Sequence, residues 1–298
     1  MSVNGGTVAP DTARQSPRVG IGFRFEISDW ISDNLSSFDV LEVTVDHYLN
    51  GGPRVRAAIA GLVGRIPLVA HGVGLSVGTG VDPDPAYLDA VAEALDALRM
   101  PFYSEHLAFT RAPGIDIANL MPLPRNAEVA GLVIDNVRSV SGRVGRPVHL
   151  ENISYLFTWP DSTMSEVDFL NLICRETGAR VLLDVENLYL NSTNHGYDPY
   201  GFIDRLPDGV VGSVHTAGGE EVGDVLLDTH SGCVPEQAMT LLEYLLKRQS
   251  PETIVLERDR NLKEFDDIMN DMRRIRETVE NVRTERGDAQ AALARAAG

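Results

Sequence analysis

Pro147-Val-His-Leu-Glu151 and Arg180-Val-Leu-Leu-Asp184 are two short runs rich in aliphatic residues, each ending in a carboxylate. Between them Val167, Leu170 and Ile173 recur at helical spacing. Ser165 followed by Asp168 can cap the start of that helix, and Gly178 stands where a left-handed residue closes one. The unit reads strand, helix, strand, and strands joined in this way lie parallel.

The pattern extends outward in both directions. Strands are predicted over Val19–Phe23, Val40–Val45, Pro67–His71, Phe102–His106, Pro147–Glu151, Arg180–Asp184, Val211–His215 and Thr253–Glu257. Tyr87, Leu88, Val91, Leu95 and Leu98 place a helix between the third and fourth strands. After the eighth, Leu262, Phe265, Ile268, Met272, Ile275, Val279 and Val282 form one amphipathic stripe, a closing helix with a frayed Ala-rich end after Gly287. Eight such units, with no GxGxxG fingerprint after the first strand, predict an α/β fold of the (β/α)8 TIM-barrel kind rather than an open doubly wound sheet. One domain over 18–286 follows, flanked by a disordered tail at 1–17 and a frayed tail at 287–298.

Composition narrows the function classes. The 298 residues are 43% hydrophobic and 23% charged, ordinary for a chain that buries a large core. A net charge of −17 repels a phosphate backbone, so no nucleic-acid partner is expected. Two cysteines, Cys174 in a helix and Cys233 in a loop, give neither a disulfide framework nor a thiolate metal site, and a reducing cytoplasm fits. The first residues lack the apolar core of a signal peptide and no apolar run is long enough to span a membrane, so no membrane association is expected. The N-x-[ST] matches at Asn152 and Asn191 are then read as chance.

In a TIM barrel the chemistry gathers at the C-terminal strand ends. Those ends carry His71, Glu105-His106, Glu151-Asn152, Asp184 with Asn187 just beyond, His215 and Glu257, and Asp228 and His230 add a pair in the loop after strand seven. Each alone is an ordinary turn residue. Together they bury carboxylates side by side with few Lys or Arg nearby, and metal ions are the simplest source of the missing charge. Four His and four carboxylates exceed the needs of one tetrahedral ion, so two or three ions bridged by Glu151 or Glu257 are expected. Imidazole and carboxylate without thiolate suit iron, manganese or zinc alike.

Other motifs read less sharply. Gly74-Leu-Ser-Val-Gly78 matches a nucleophile elbow, but strand three ends at His71 and no helix follows, so loop flexibility is the better reading. His149 is placed on the opposite face from Glu151's neighbours or in the barrel wall, as a structural residue, and His47 beside Asp46 lines the site. Glu26 and Glu42 are read as solvated charge.

The ordered strings His71-Gly-Val-Gly-Leu-Ser, Ser104-Glu-His-Leu-Ala, Met121-Pro-Leu-Pro, Leu150-Glu-Asn, Leu182-Leu-Asp-Val-Glu-Asn, Asn194-His-Gly-Tyr-Asp, Val214-His-Thr-Ala-Gly and Asp228-Thr-His are similar to those of the DUF692 family. These are multinuclear non-heme iron-dependent oxidative enzymes, related to the methanobactin biosynthesis oxidase, and the resemblance runs from about Gly20 to Asp259. It implies a xylose-isomerase-like TIM barrel holding two or three iron ions (Fe2+/Fe3+), with O2 as co-substrate. The implied ligands are His71, His106, Glu151, Asp184, Asn187, His215, Asp228, His230 and Glu257. It also puts Asp46, His47, Asn152, Glu186, Asn194, His195 and Asp259 beside the substrate or behind the ligands. The ligand order resembles, too, the trinuclear zinc site of endonuclease IV, though the acidic charge argues against DNA.

The implied reaction is oxidation of a Cys, Asn or Asp residue in a ribosomally synthesised precursor peptide, with a separate peptide-delivering protein as a candidate partner. Three positions depart from the family pattern as expected pocket-lining residues: Asp46-His47, Ala217-Gly218-Gly219 and Glu186. Two other readings compete: a zinc or manganese isomerase or hydrolase of a small polar substrate on the same barrel, and a non-enzymatic, metal-stabilised binding protein.

Overall fold

The computed structural model describes residues 16–112 and 114–297; the expected N-terminal tail lies outside them over residues 1–15. Eight parallel strands close into a barrel: β1 (Arg18–Gly22), β2 (Val40–Thr44), β3 (Leu68–Gly72), β4 (Tyr103–His106), β5 (Val148–Glu151), β6 (Arg180–Asp184), β7 (Val211–Thr216) and β8 (Thr253–Leu256). Each pairs with its sequence neighbour, and β1 returns to β8 in the register Arg18↔Thr253 to close the ring. All eight lie within a residue or two of the segments read from the sequence.

Strand residues alternate between two environments, as the pleat requires. Val19, Ile21, Leu41, Val43, Leu68, Leu150, Val181, Leu183, Val214 and Leu256 face outward into one large core shared with the helices. Val40, Val69 and Phe102 face inward and make a separate small cluster. His149 belongs to that inner face, two residues below Glu151, not to the opposite face. Its ring stacks on Phe102 with centroids 4.1 Å apart, and Nδ1 meets Ser213 Oγ at 2.9 Å. Burial first, and Arg180 second, lower its pKa to about 3, so it is a neutral packing residue. Above this plug the inner face turns polar.

Helices Pro85–Leu98, Ala127–Val144, Glu166–Thr177 and Glu236–Leu246 cover the barrel with their apolar stripes. Asp84, Asn126 and Ser165 each accept a backbone N–H of the first turn. Gly178 takes φ 75° at the end of the third of these, the left-handed position the sequence reserves for it. The closing helix spans Phe265–Ala297, continuing through Gly287 where a frayed end was expected; Ala, the strongest helix former, dominates that stretch. Two antiparallel hairpins, Phe109–Ala112 with Ile115–Met121 and Glu220–Val222 with Val225–Leu227, leave the top of the barrel after β4 and β7.

Both cysteines stand as expected, Cys174 buried in a helix and Cys233 exposed. Asn152 and Asn191 are buried. Among the described residues no helix is long and apolar enough to cross a membrane.

The inner face of β1 carries Gly20 and Gly22, and this thin wall leaves room for the site. A Cβ at Gly20 would lie 1.8 Å from the Val40 carbonyl oxygen of β2, whereas at Gly131, within Ala127–Val144, it would meet nothing within 4 Å. Gly20→Ala should therefore destabilise the fold by about 1–3 kcal/mol or more through overpacking, while Gly131→Ala should stabilise it by roughly 0.5–1 kcal/mol. Urea unfolding of the two variants checks the contrast; equal midpoints would mean that β1 has slack to move.

Candidate metal centre

Parallel strands bring their last residues to one rim, and the inner positions there are His71, His106, Glu151, Asp184 and His215. Glu151 stands at the middle. Its Oε1 lies 2.9 Å from His215 Nδ1, and its Oε2 lies 3.5 Å from His71 Nε2 and 3.4 Å from His106 Nε2. His215 Nδ1 is also 3.1 Å from Glu257 Oε2. Potential ligand atoms fall into overlapping groups within 4.8 Å: His71, His106 and Glu151; Glu151, Asp184, His215 and Glu257; Glu186, Asp228 and His230. A further group joins Glu42 to His71 and His215.

The surroundings of His71, His215 and His230 fix which nitrogen of each of these imidazoles carries a lone pair. Ser104 Oγ donates to Ala70 O at 2.8 Å, so its oxygen accepts from His71 Nδ1 at 3.0 Å and leaves Nε2 facing Glu151. Glu42 Oε2 accepts from His215 Nε2 at 2.8 Å, leaving Nδ1 for the centre. Asp259 Oδ2 accepts from His230 Nδ1 at 2.8 Å, leaving Nε2 2.7 Å from Asp228 Oδ1. Neither of those last two atoms has an aligned hydrogen-bond partner.

Asp184 shows how local structure aims a side chain. It is both the last residue of β6 and the N-cap of the helix Val185–His195, accepting from Asn187 N through Oδ1 at 2.8 Å. Asn152 grips its backbone on both sides, donating to Asp184 O at 3.0 Å and accepting Asp184 N at 2.9 Å. The second carboxylate oxygen, Oδ2, then points into the barrel mouth with no partner. Asn187 is oriented likewise: its amide donates to Asn152 O, and Oδ1 is buried and unpartnered.

Glu151 Oε2, Asp184 Oδ2, both Glu186 oxygens, Asn187 Oδ1 and Asp228 Oδ1 are thus buried acceptors without donors. Buried polar atoms are nearly always satisfied, and leaving a buried carboxylate unpaired costs several kcal/mol. Burial, then the Glu151 and Asp228 charges, push Asp184 up to about 8. Burial, then Asp184 and Asp228, push Glu186 up to about 9 against the pull of His230. Burial alone would lower His106, yet Glu151 and Glu105 raise it to about 9. Glu151, which burial would raise, is held below the usual carboxylate range by His215, His106 and His71. Protons are one way to supply this positive charge and cations are the other; hard oxygen and imidazole donors in overlapping sets fit cations.

One placement corrects the sequence reading. Glu42 is not solvated charge: it is 4% exposed, on the inner face of β2, against His215. Glu186, expected to shape substrate choice, stands close to Asp228 and His230. Arg24, which the sequence reading passed over, reaches the same acids, with Nε 2.6 Å from Asp259 Oδ1 and Nη2 3.8 Å from Glu257 Oε1.

The remaining expected residues stand behind or beside these groups. Asp46 accepts from Val73 N, Gly74 N and Tyr87 Oη, anchoring the loop after β3. His47 lies in a neighbouring cavity wall. Asn194 clamps the second hairpin through Leu226 N and O, and His195 stacks on Tyr155 and bonds its carbonyl. Ser76, centre of the elbow-like motif, is buried with φ 59°, and its Oγ accepts from Thr110 N and Arg111 N. It pins the first hairpin and is not presented as a nucleophile.

Comparison with known proteins bears on this geometry. Among solved structures the chain is similar to L-ribulose 3-epimerase (TM-score 0.59, 13% identical, covering 92% of this chain and 98% of that one). It is also similar to a xylose isomerase domain protein from Planctomyces limnophilus (TM-score 0.53, 14% identical, covering 91% and 99%). At such identities the likeness is one of fold: the xylose-isomerase-like TIM barrel. Among curated sequences, a UPF0276 protein of Streptomyces avermitilis is 35% identical over 89% of this chain, which spans 55% of that protein's length. A second, from Nitrosospira multiformis, is 31% identical and covers 92% of this chain and 97% of its own. A family model described as RiPP precursor modification enzyme MbnB/TglH/ChrH matches residues 18–280. That match spans the barrel, the rim of His and carboxylates and most of the closing helix, so the chain belongs to the MbnB/TglH/ChrH family of RiPP precursor modification enzymes.

Proposed function

We propose that this chain is a multinuclear, iron-dependent, O2-using oxidoreductase that modifies a Cys-, Asn- or Asp-type residue of a ribosomally made peptide. The observation that carries the reading is Glu151, buried at the barrel mouth and shared among three imidazoles while neighbouring acceptors lack donors. Family membership supports the peptide substrate.

In this reading His71, His106 and Glu151 would hold one ion. Glu151, Asp184, His215 and Glu257 would hold a second, and Asn187, Asp228 and His230, with Glu186 beside them, would hold a third. Iron, when bound, supplies open coordination positions and one-electron chemistry with O2. The chain's own part is to present lone pairs already oriented. Ser104, Glu42 and Asp259 hold the distal imidazole protons of His71, His215 and His230, and Asn152 fixes Asp184. Glu105 Oε1 accepts His106 N at 3.0 Å, while its Oε2 accepts from Tyr103 Oη and Leu75 N, tying the end of β4 to the loop after β3. Beneath, the buried apolar plug of Val40, Val69 and Phe102 fills the barrel.

A cavity of about 580 Å³ reaches His106 between the first hairpin and the start of the loop after β3, lined among others by Val73, Tyr87, Thr110, Arg111 and Leu120. It is the entry we assign to the peptide, and its size is that of ordinary ligand sites.

The direct test is O2 uptake and peptide mass change when iron-loaded protein meets synthetic peptides bearing Cys, Asn or Asp. Modification that requires both iron and O2 is expected; turnover without O2 on the zinc or manganese protein would favour an isomerase or hydrolase instead. Asp228→Ala or His230→Ala should lower bound iron while leaving thermal unfolding of the metal-free protein unchanged, and full occupancy in both variants would remove this pair from the centre. Glu42→Ala should weaken metal retention against a chelator by about 10–100-fold, the usual cost of losing the group that orients a ligand imidazole. Unchanged retention would return Glu42 to a packing role.

A further inference from the structure

A second cavity, of about 530 Å³, opens between the ends of β1 and β2. Its walls are largely apolar, built by Phe23, Phe25, Val43, Val55, Ile59 and Leu262. Arg24, His47 and the acids Glu26, Asp46 and Asp259 also line it. The mechanism above uses none of this space, although Asp259 also holds His230 and so joins the cavity to the metal centre.

Arg24 has donors to spare. Of the five N–H groups of a guanidinium, Nε is taken by Asp259 at 2.6 Å and one on Nη1 by Phe23 O at 3.1 Å. Nη2 stands 3.8 Å from Glu257 Oε1, beyond hydrogen-bond reach. The side chain is nonetheless 11% exposed, held in place between two acids instead of reaching into solvent. Of the acids that also line the cavity, Asp259 is met by His230 and Arg24 and Asp46 by two backbone N–H groups and Tyr87, while Glu26 is exposed. The exposed His47 side chain makes no hydrogen bond among the described residues and can add a donor in the same cavity.

We propose that this cavity is a substrate pocket that takes an apolar side chain and binds a carboxylate carried beside it on Arg24. The proposal rests on reading the barrel rim as the catalytic centre and names the substrate feature recognised there: an apolar residue adjoining either a free chain end or an acidic side chain. A planar guanidinium pairs with a carboxylate through two parallel bonds, which a lysine ammonium cannot reproduce.

Calorimetric titration of the iron-loaded protein with N-acetyl-Ala-Leu, its C-terminal amide, and the amide of N-acetyl-Asp-Leu tests this, with bound iron measured in every sample. The wild type should bind at least one carboxylate form about tenfold or more tighter than the plain amide; the free acid implicates a chain end, the Asp peptide an acidic side chain. Arg24→Lys should abolish that preference, and Val55→Trp, which fills the cavity away from the ligand groups, should weaken all three probes with iron unchanged. Equal affinities for the three probes, no binding of either carboxylate form, or a preference that survives both substitutions overturns the pocket. If Arg24→Lys also sheds iron, Val55→Trp decides. Wild-type protein that holds no iron would contradict the proposed function instead, a result read separately from the preference.

Discussion

A carboxylate buried at the mouth of a barrel has to be met by positive charge, and Glu151 is that carboxylate. It is 1% exposed and touches His71, His106 and His215 from one position. Everything around it serves that meeting. The strands deliver the imidazoles, hydroxyl and carboxylate partners on the far side of the rings set which nitrogen faces inward, and a second tier of acids raises the demand for charge further. Arg24 meets part of it from the edge. A ring of parallel strands suits the task because its rim collects side chains from most of the strands at one place, to which the loop after β7 adds Asp228 and His230.

The scaffold below makes this tolerable. The inner barrel is split into a dry lower tier, where Val40, Val69, Phe102 and neutral His149 pack, and a charged upper tier. Gly20 and Gly22 thin the wall at β1, and the outward faces of all strands belong to a separate and much larger core. Stability is thus generated between barrel and helices, which leaves the inner rim free to hold an arrangement that would be unfavourable without ions.

The fold was legible because fully buried parallel strands read as short apolar runs and each had a helix or a turn signal after it. The ends of the runs gave the candidate ligands directly, since a charged residue closing an apolar strand stands out. Glu42 did not, because it sits inside the run Val40–Val45, and an acid in mid-strand was taken for the solvent side. A parallel sheet covered on both faces has no solvent side, and that was the missed signal. The hairpins after β4 and β7 were missed for another reason: their strands are exposed or only half-buried, so hydrophobic periodicity has nothing to report. Arg24 lies just beyond β1, and its link to Asp259, 235 positions away, exists only once the barrel closes. Glu186 was visible as a residue, but its alignment with Asp228 and His230 depends on the helix turn after Asp184.

The central claim is that the rim is a cluster of iron ions organised on Glu151. Mössbauer spectroscopy with elemental analysis, on protein expressed with iron-57 and purified without oxygen, addresses it most directly. The account predicts about two or three iron ions per chain in imidazole and carboxylate coordination, with a mixed-valent signal. Zinc or manganese in place of iron would contradict the oxidative chemistry, and protein holding no metal at all would contradict the centre itself.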